Sequence, residues 1–416
     1  MTYLPRIADE ELAVRLGATG AVVIEGPKAC GKTATARRIA ASEVLLDVDR
    51  SARGAIAIDP SLVLAGPTPR LIDEWQLEPA IWNHVRRAVD DRGLPGQFIL
   101  TGSSVPSDDV SRHTGAGRIS RLRMRPMTLF ETGHSIGSIS FGRLMAGEPV
   151  QSVEPGLTVP DLAERVAIGG WPGLHDRSLD ASLEANRGYL DEIRRVDINR
   201  VDGTRRDPQR VGRVLRSLAR NVATYAADTA IAIDASGSDE AIKPDTVREY
   251  LDALERLMVV EDQPAWAPHL RSRSILRSAS KRHFVDPSIA VAALRATPSR
   301  LLRDLDLLGF LFESLVIRDL RVYAQPVGGQ ILQYRDNTGL EIDAIVELGD
   351  GAWAAFEVKL GPGRVDEGAA SLLKFADRVD TVRSGAPRAL GVIVGFGYGY
   401  VRQDGVAVIP IGSLRP

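Results

Sequence analysis

Short apolar runs alternate with amphipathic stretches along the first 150 residues of the chain. AVVIEG, VLLDVD, RLIDEW and QFILTGSS each have the apolar content of a buried strand. TATARRIAASE and EPAIWNHVRRAVDDRG, which lie between them, place apolar residues at helical spacing. Strands and helices in alternation predict an α/β domain with a mainly parallel sheet.

The pattern changes near residue 150 and again near residue 300. In the middle part, DPQRVGRVLRSLARNVATY and KPDTVREYLDALERLMVVE read as helices, and the extended VVEDQPAW follows. This order predicts a helical lid and a winged-helix-like region. The last part predicts a long helix, three strands, a helix and two strands. We therefore predict three domains, covering residues 1–150, 151–300 and 301–416.

Composition narrows the classes of function. The formal net charge is −2, so any contact with nucleic acid must come from a local patch. The only cysteine, Cys30, excludes a disulfide framework and a cysteine-based zinc site. The first residues lack the features of a signal peptide and no apolar run is long enough to span a membrane, so we expect a cytoplasmic location.

A glycine-rich motif follows the first predicted strand. GPKACGKT fits G-x-x-x-x-G-K-[ST], with a strand before it and a helix after it. Backbone N–H groups and the helix N-terminus would face phosphate oxygens, Lys32 would reach the β- and γ-phosphates, and Thr33 would bind Mg²⁺. The alternative is a plain glycine turn, with Cys30 as a small loop residue. We predict that ATP and Mg²⁺ bind here, contacted by Gly26, Pro27, Lys28, Ala29, Cys30, Gly31, Lys32 and Thr33.

Candidate residues for hydrolysis follow the third and fourth strands. Asp73 would hold Mg²⁺ through water and Glu74 would polarise the attacking water, although a polar helix start is the alternative. Thr101 or Ser103 could sense the γ-phosphate, or could simply end a strand. Arg118 is a candidate arginine finger, or a solvated surface residue.

These stretches resemble a known family. GPKACGKT, LIDEWQ, FILTGSS and GRISRLRMRPMTLFE follow one another as in AAA-type ATP-binding proteins with an uncharacterised C-terminal domain. IGGWP, KRHFVDPSIA, GFLFESLVI, GLEIDAIVE and FEVK extend the resemblance over almost the whole chain. It implies an ATPase domain, with self-association through that domain as a further expectation. It also implies a restriction-endonuclease-like α/β fold for the C-terminal part.

A predicted hairpin in the last part carries a second set of charges. EIDAIVEL and AWAAFEVKL flank a turn at Gly349-Asp350-Gly351. Centring the hairpin on Asp350 places Asp343 opposite Glu357 and Glu341 opposite Lys359, all on one face.

Two opposed carboxylates repel each other unless a cation neutralises them, and oxygen ligands suit Mg²⁺. Asp343, Glu357 and Lys359 therefore match the PD-(D/E)xK nuclease pattern, with Lys359 placing a water and Glu313 offering a further metal ligand. Two alternatives stay open. The charges could form ion pairs on a surface hairpin, or the fold could persist without the chemistry.

Two functions follow. The first is an ATPase coupled to a DNA-binding and nuclease-like region. The second is a nucleotide-dependent switch or scaffold with an inactive nuclease fold. A basic segment is the candidate for contacts with DNA phosphates, through Arg271, Arg273, Arg277, Lys281 and Arg282. A solvated basic loop is its alternative.

Overall fold

The computed structural model describes residues 3–103, 114–236, 241–267 and 279–416. In these ranges the α-helices, in chain order, are α1 (Ile7–Ala18), α2 (Lys32–Arg37), α3 (Arg50–Ile58), α4 (Ser61–Leu64), α5 (Ile81–Arg92), α6 (Phe141–Met145), α7 (Val159–Ile168), α8 (Leu179–Glu192), α9 (Ile198–Arg200), α10 (Pro208–Arg220), α11 (Asp228–Ala235), α12 (Pro244–Arg256), α13 (Pro287–Leu294), α14 (Pro298–Leu301), α15 (Leu305–Ala324), α16 (Val365–Ala376) and α17 (Thr381–Ser384).

The strands of the same ranges are β1 (Ala21–Glu25), β2 (Ser42–Leu45), β3 (Arg70–Asp73), β4 (Phe98–Gly102), β5 (Ile119–Arg123), β6 (Ile139–Ser140), β7 (Gln330–Arg335), β8 (Glu341–Glu347), β9 (Trp353–Lys359), β10 (Leu390–Val394), β11 (Tyr400–Val401), β12 (Ala407–Pro410) and β13 (Leu414–Arg415).

The N-terminal sheet has the order β2-β3-β4-β1-β5, and all its neighbouring strands are parallel. Val22 of β1 packs in one apolar cluster with Leu12 of α1, whereas Val23 packs in another with Val85 of α5. Helices therefore cover both faces of the sheet, which explains why its strands are apolar throughout. The predicted α/β domain with a parallel sheet is confirmed.

Two details of this sheet differ from prediction. The strand expected over VLLDVD ends at Leu45, because the Asp49 side chain accepts a hydrogen bond from Ala52 N and begins α3 instead. The sheet also has a fifth strand, β5, at its edge. Its alternating arginines gave it no clear apolar signal.

The middle part is helical, as expected. The two predicted helices are α10 and α12, with α11 between them. Two extended segments then pair in antiparallel fashion at Val260 with Phe284 and at Gln263 with Lys281. The winged-helix-like arrangement stays a prediction.

The C-terminal sheet has the order β11-β12-β10-β9-β8-β7. The three strands β7, β8 and β9 are antiparallel, and β9, β10 and β12 are parallel. Phe356 packs in one apolar cluster with Leu315 of α15, whereas Trp353 packs in another with Phe375 of α16. The sheet therefore lies between two long helices, and its likeness to a restriction endonuclease stays a prediction.

The predicted domain boundaries also stay predictions. One apolar cluster contains Leu12, Val166 and Leu315, which belong to three different predicted domains. Strand β13, at the end of the chain, pairs with β6. Within the described ranges, every helix is too short or too polar to cross a membrane.

Candidate functional site

The glycine-rich loop connects the end of β1 to the start of α2, as predicted. A Cβ atom on Gly26 would lie 2.3 Å from the carbonyl oxygen of Met124, so only glycine fits there. Gly31 has a φ of +100°, in the region that favours glycine. These two positions let the chain turn sharply between the strand and the first turn of the helix.

Lys32 begins α2 and is held at the loop. Its Nζ donates hydrogen bonds to the carbonyl oxygens of Gly26 (2.9 Å) and Pro27 (2.8 Å), and the residue is only 5% exposed. A buried ammonium bonded to loop carbonyls lies where a phosphate bound by the loop would meet it. The structure thus places Lys32 as the motif predicts.

Three oxygen-bearing side chains meet beside the loop. The Thr33 hydroxyl donates a hydrogen bond to Asp73 Oδ1 at 2.8 Å, and the Thr101 hydroxyl donates to the same oxygen. They come together because the carboxyl ends of β1, β3 and β4 lie at one edge of the parallel sheet. Hydroxyl and carboxylate oxygens suit Mg²⁺, so these residues fit the expected metal.

Glu74 lies directly after Asp73 with a φ of +54°, which is rare for a residue with a side chain. Its carboxylate accepts hydrogen bonds from the Ser103 hydroxyl (3.2 Å) and from Gln76 Nε2. Gln76 Nε2 also donates to Ser103 Oγ at 3.3 Å. The sequence therefore located Glu74 and Ser103 together but missed Gln76, whose only signal was its place two residues further on.

Arg118 does not reach the loop of its own chain. The residue after it, Ile119, pairs with Ala21 at the amino end of β1, whereas the loop follows the carboxyl end. A five-residue strand separates the two ends by about 16 Å. Arg118 forms an ion pair with Asp90 at 2.8 Å instead, so it is not an arginine finger within this chain.

Arg6 supports the loop from a position that the sequence did not indicate. Its guanidinium donates to the carbonyl oxygens of Cys30 and Arg125, both at 2.8 Å, and pairs with Glu131 at 3.0 Å. Because Arg6 is buried, these contacts brace the loop against the strand edge. Local sequence carries no sign of a contact between such distant positions.

Lys28 connects the loop to the helical part. Its Nζ lies 2.6 Å from Asp197 Oδ1, at the end of the π-helix Ile193–Asp197. The Tyr189 hydroxyl also donates to the carbonyl oxygen of Lys28 at 3.4 Å. The Lys28 side chain therefore faces the helical part.

The C-terminal hairpin has the predicted register over four residue pairs of β8 and β9. Ala344 pairs with Phe356 and Glu347 with Trp353, as centring on Asp350 requires. The regular pairing of β8 with β9 ends at Ala344, next to a shift in register between β7 and β8. Asp343 Oδ2 then accepts a hydrogen bond from Val358 N at 2.9 Å, so its carboxylate caps the neighbouring backbone.

Five charged side chains nevertheless converge at this end of the hairpin. Lys359 Nζ lies 2.5 Å from Glu357 Oε2 and 3.9 Å from Asp343 Oδ2. Lys281 Nζ lies 2.6 Å from Glu313 Oε1 and 2.9 Å from Asp343 Oδ1. The prediction that Glu313, Asp343, Glu357 and Lys359 lie together is thus correct in space, and Lys281 joins them. We call these five residues the charge cluster.

The carboxylates of the charge cluster are paired with the two lysines of the cluster. In the part of the chain that the structure describes, no group of three His, Cys, Asp or Glu residues is arranged to hold a metal ion. Lys281 lies between Glu313 and Asp343, and Lys359 lies against Glu357. The metal-binding role predicted for these three carboxylates has no support from this geometry and stays a prediction.

The basic segment proposed for DNA contacts is also corrected in part. Lys281 is buried in the charge cluster, and Arg282 pairs with Asp228 and Asp262. Neither cation is available to a phosphate backbone. The remaining candidates lie outside the described residues: Arg271, Arg273 and Arg277.

Burial and neighbouring charges shift the pKa values of the carboxyl groups in the charge cluster. Burial, reinforced by the Asp343 carboxylate, raises the pKa of Glu313 and that of Glu357 to about 8. Burial also opposes ionisation of Asp343, but Lys281 and Lys359 outweigh it and lower the pKa of that carboxyl. Asp343, Glu357 and Lys359 border a pocket of about 330 Å³.

The stability of the fold should therefore depend on pH through these glutamates. Between pH 4.5 and about 8 the folded protein holds protons that the unfolded chain releases. This stabilisation is complete below pH 4.5 and is lost as the pH rises through 8. Glu357→Gln cannot release such a proton. When the pH is raised from 5 to 9, the melting temperature of the wild type should fall by roughly 3 °C or more relative to that of the variant.

The matched control is Glu341→Gln, on the neighbouring strand β8, because Glu341 is half-exposed and pairs with Arg335. Its melting temperature should follow the wild type at every pH. An identical pH dependence for Glu357→Gln and the wild type would contradict the raised pKa.

Three family models match successive parts of the chain. Residues 18–133 match the family model of an AAA domain. Residues 159–300 and 308–414 match two domains of unknown function, DUF8612 and DUF4143. No curated protein matches the chain. Among solved structures, a Walker-type ATPase of Pyrococcus abyssi matches at 15% identity and a TM-score of 0.43, over 70% of this chain and 96% of that one.

Proposed function

We propose that this protein hydrolyses ATP with Mg²⁺ at the loop 26–33, in its N-terminal AAA-type ATPase domain. One observation carries the proposal. Thr33 and Asp73 share a hydrogen bond beside the loop, and Glu74 lies next to them with its carboxylate held by Ser103. These are the groups that hydrolysis requires, at one edge of one sheet.

The chain's own residues divide the work. The backbone N–H groups of the loop and the Lys32 ammonium bind the phosphates, and Thr33 and Asp73 would hold Mg²⁺, which screens phosphate charge. Glu74 accepts a hydrogen bond from the water that attacks the γ-phosphorus, and the bond from that phosphorus to the bridging oxygen breaks. ADP and phosphate are the products. Ser103 and Gln76 orient the Glu74 carboxylate.

Glu74→Gln should therefore separate binding from hydrolysis. The amide keeps the size of the side chain but polarises water poorly, so we expect phosphate release to fall by about 10²-fold or more. Binding of a fluorescent ATP analogue should stay near the wild-type value. Removal of Mg²⁺ with EDTA should stop phosphate release by the wild type.

Glu78→Gln is the control for this variant, because it makes the same chemical change four residues away. It should hydrolyse ATP at the wild-type rate. Wild-type hydrolysis by Glu74→Gln would refute the role of Glu74.

We further propose that the nucleotide acts as a switch for the helical part. The Lys28–Asp197 ion pair and the hydrogen bond from Tyr189 join the loop to α8 and the π-helix that follows. A change in the loop on binding or hydrolysis would therefore be felt there.

For the C-terminal part we propose the second of the two predicted roles, a nuclease-like fold without metal-dependent cleavage. Lys281 and Lys359 hold its carboxylates in ion pairs, which supports a structural role for the charge cluster.

A further inference from the structure

An open groove of about 720 Å³ lies where α8, α10 and α13 meet. Five arginines border it: Arg187, Arg194, Arg213, Arg216 and Arg295. A cluster of this size stands out in a chain whose formal net charge is −2. We call this surface the arginine groove.

The sequence of α10 explains why cations gather there. Its apolar residues, such as Val214 and Leu218, are buried in the core. Arg213, Arg216 and Arg220 follow one another at spacings of three and four residues, so they share the outer face. The helix itself contains no acidic residue, although Arg220 pairs with Asp234 of α11.

The positive surface continues beyond the groove. A second open groove of about 550 Å³ is bordered by Arg220, Arg300 and Arg303. Arg220 lies one turn beyond Arg216 on α10. Arg295 borders the first groove, and its chain neighbours Leu294 and Ala296 border the second. The two grooves therefore form one strip of cations.

Much of this charge has no carboxylate partner. Arg187 pairs with Glu184 at 3.3 Å, Arg194 pairs with Asp191 at 2.7 Å, and Arg220 pairs with Asp234 of α11. Arg216 and Arg295 are exposed, and neither forms an ion pair with any carboxylate in the described ranges. The strip keeps a local excess of positive charge, which a polyanion would neutralise.

We propose that the arginine groove binds the phosphate backbone of a nucleic acid. Guanidinium groups match phosphate oxygens through paired hydrogen bonds. A protein partner would need an apolar centre with aromatic residues, but the groove offers only Leu190, Ala292 and Ala293 as apolar lining. Its lining residues do not include any residue of the basic segment 271–282.

This inference deepens the proposed function by naming a partner class, but the groove does not need ATP to be present. A test uses the full-length double variant Arg216→Gln/Arg295→Gln and a fluorescent 30-base-pair DNA duplex. Affinity is followed by anisotropy from about 50 to 200 mM salt. We expect binding at 100 mM salt to weaken at least ten-fold in the variant. The slope of log K against log salt should become shallower by about 2, because two phosphate contacts are lost.

The matched control is Arg87→Gln/Arg177→Gln, which removes the same charge from exposed positions on other elements. It should bind the duplex like the wild type. Equal binding by the groove variant and the wild type would overturn the proposal, and so would a wild type that binds no DNA. Displacement of the duplex by an equal charge concentration of poly-glutamate would point to an acidic protein partner and would also overturn it.

The proposed DNA binding at the groove and the proposed ATP hydrolysis at the loop can be tested independently. Lys32→Ala removes the nucleotide site and leaves the groove intact, so its DNA binding without ATP should equal that of the wild type. Conversely, the groove variant should keep the wild-type affinity for ATP.

Discussion

Lys32→Ala is expected to weaken ATP binding by at least about 10²-fold, to a level that titration with a fluorescent ATP analogue will not detect. The ammonium of Lys32 is buried and bonded to two carbonyls of the loop, so its charge lies at the phosphate site. Removing it takes away the charge-assisted hydrogen bonds to the β- and γ-phosphates. No neighbouring lysine can replace it, because Lys28 is turned toward Asp197.

Lys28→Ala is the control, since it removes a lysine from the same loop. Its side chain faces the helical part, so we expect its ATP affinity to fall less than ten-fold. Circular dichroism would confirm that both variants are folded. If Lys32→Ala bound ATP as tightly as the wild type, the proposed nucleotide site would be wrong.

A second large effect is expected at Arg318, in the middle of α15. Its guanidinium lies 2.8 Å from Asp286 and 2.7 Å from Asp319, and all three side chains are at most 2% exposed. Asp286 also accepts a hydrogen bond from Gly170 N, and Asp319 accepts one from Leu129 N. This network joins residues from all three predicted domains.

Arg318→Met should therefore destabilise the fold by about 3–5 kcal/mol, because it leaves two buried carboxylates without their cation. The midpoint of urea denaturation should fall markedly. The double variant Arg318→Met/Asp319→Asn should recover part of that loss, since one of the uncompensated charges is then removed.

Arg383→Met serves as the reference, because Arg383 is exposed and pairs with Asp380, three residues away. Its cost should be below about 0.5 kcal/mol. An unchanged urea midpoint for Arg318→Met would show that the buried network contributes nothing to stability.

The proposed nucleotide site could be predicted from the sequence because its signals are local. The glycine spacing, the strand before Gly26 and the helix after Lys32 lie within a few residues of one another. Asp73, Glu74 and Ser103 could be added because parallel strands end at one edge of a sheet. Arg118 was named as a candidate arginine finger without such an argument, and the register of β5 places it at the other edge of the sheet.

The C-terminal part shows the limit more sharply. A local turn determined the register of β8 and β9, and the hairpin has that register from Ala344 onward. The ion pairs of the carboxylates depended on Lys281, which lies 32 residues from Glu313 and 62 residues from Asp343 in the sequence. From sequence alone, this lysine belonged to a solvent-facing basic segment.

The sequence by itself therefore determined the parallel sheet, the glycine-rich loop and the hairpin register, because each follows from periodicity or from turns over a short span. Tertiary packing alone decided which charges meet: Arg6 at the loop, Lys281 in the charge cluster, Arg318 between two aspartates. Such contacts join residues far apart in the chain. Whether a buried charge is neutralised by a neighbour or by a ligand depends on distances that only the folded chain sets.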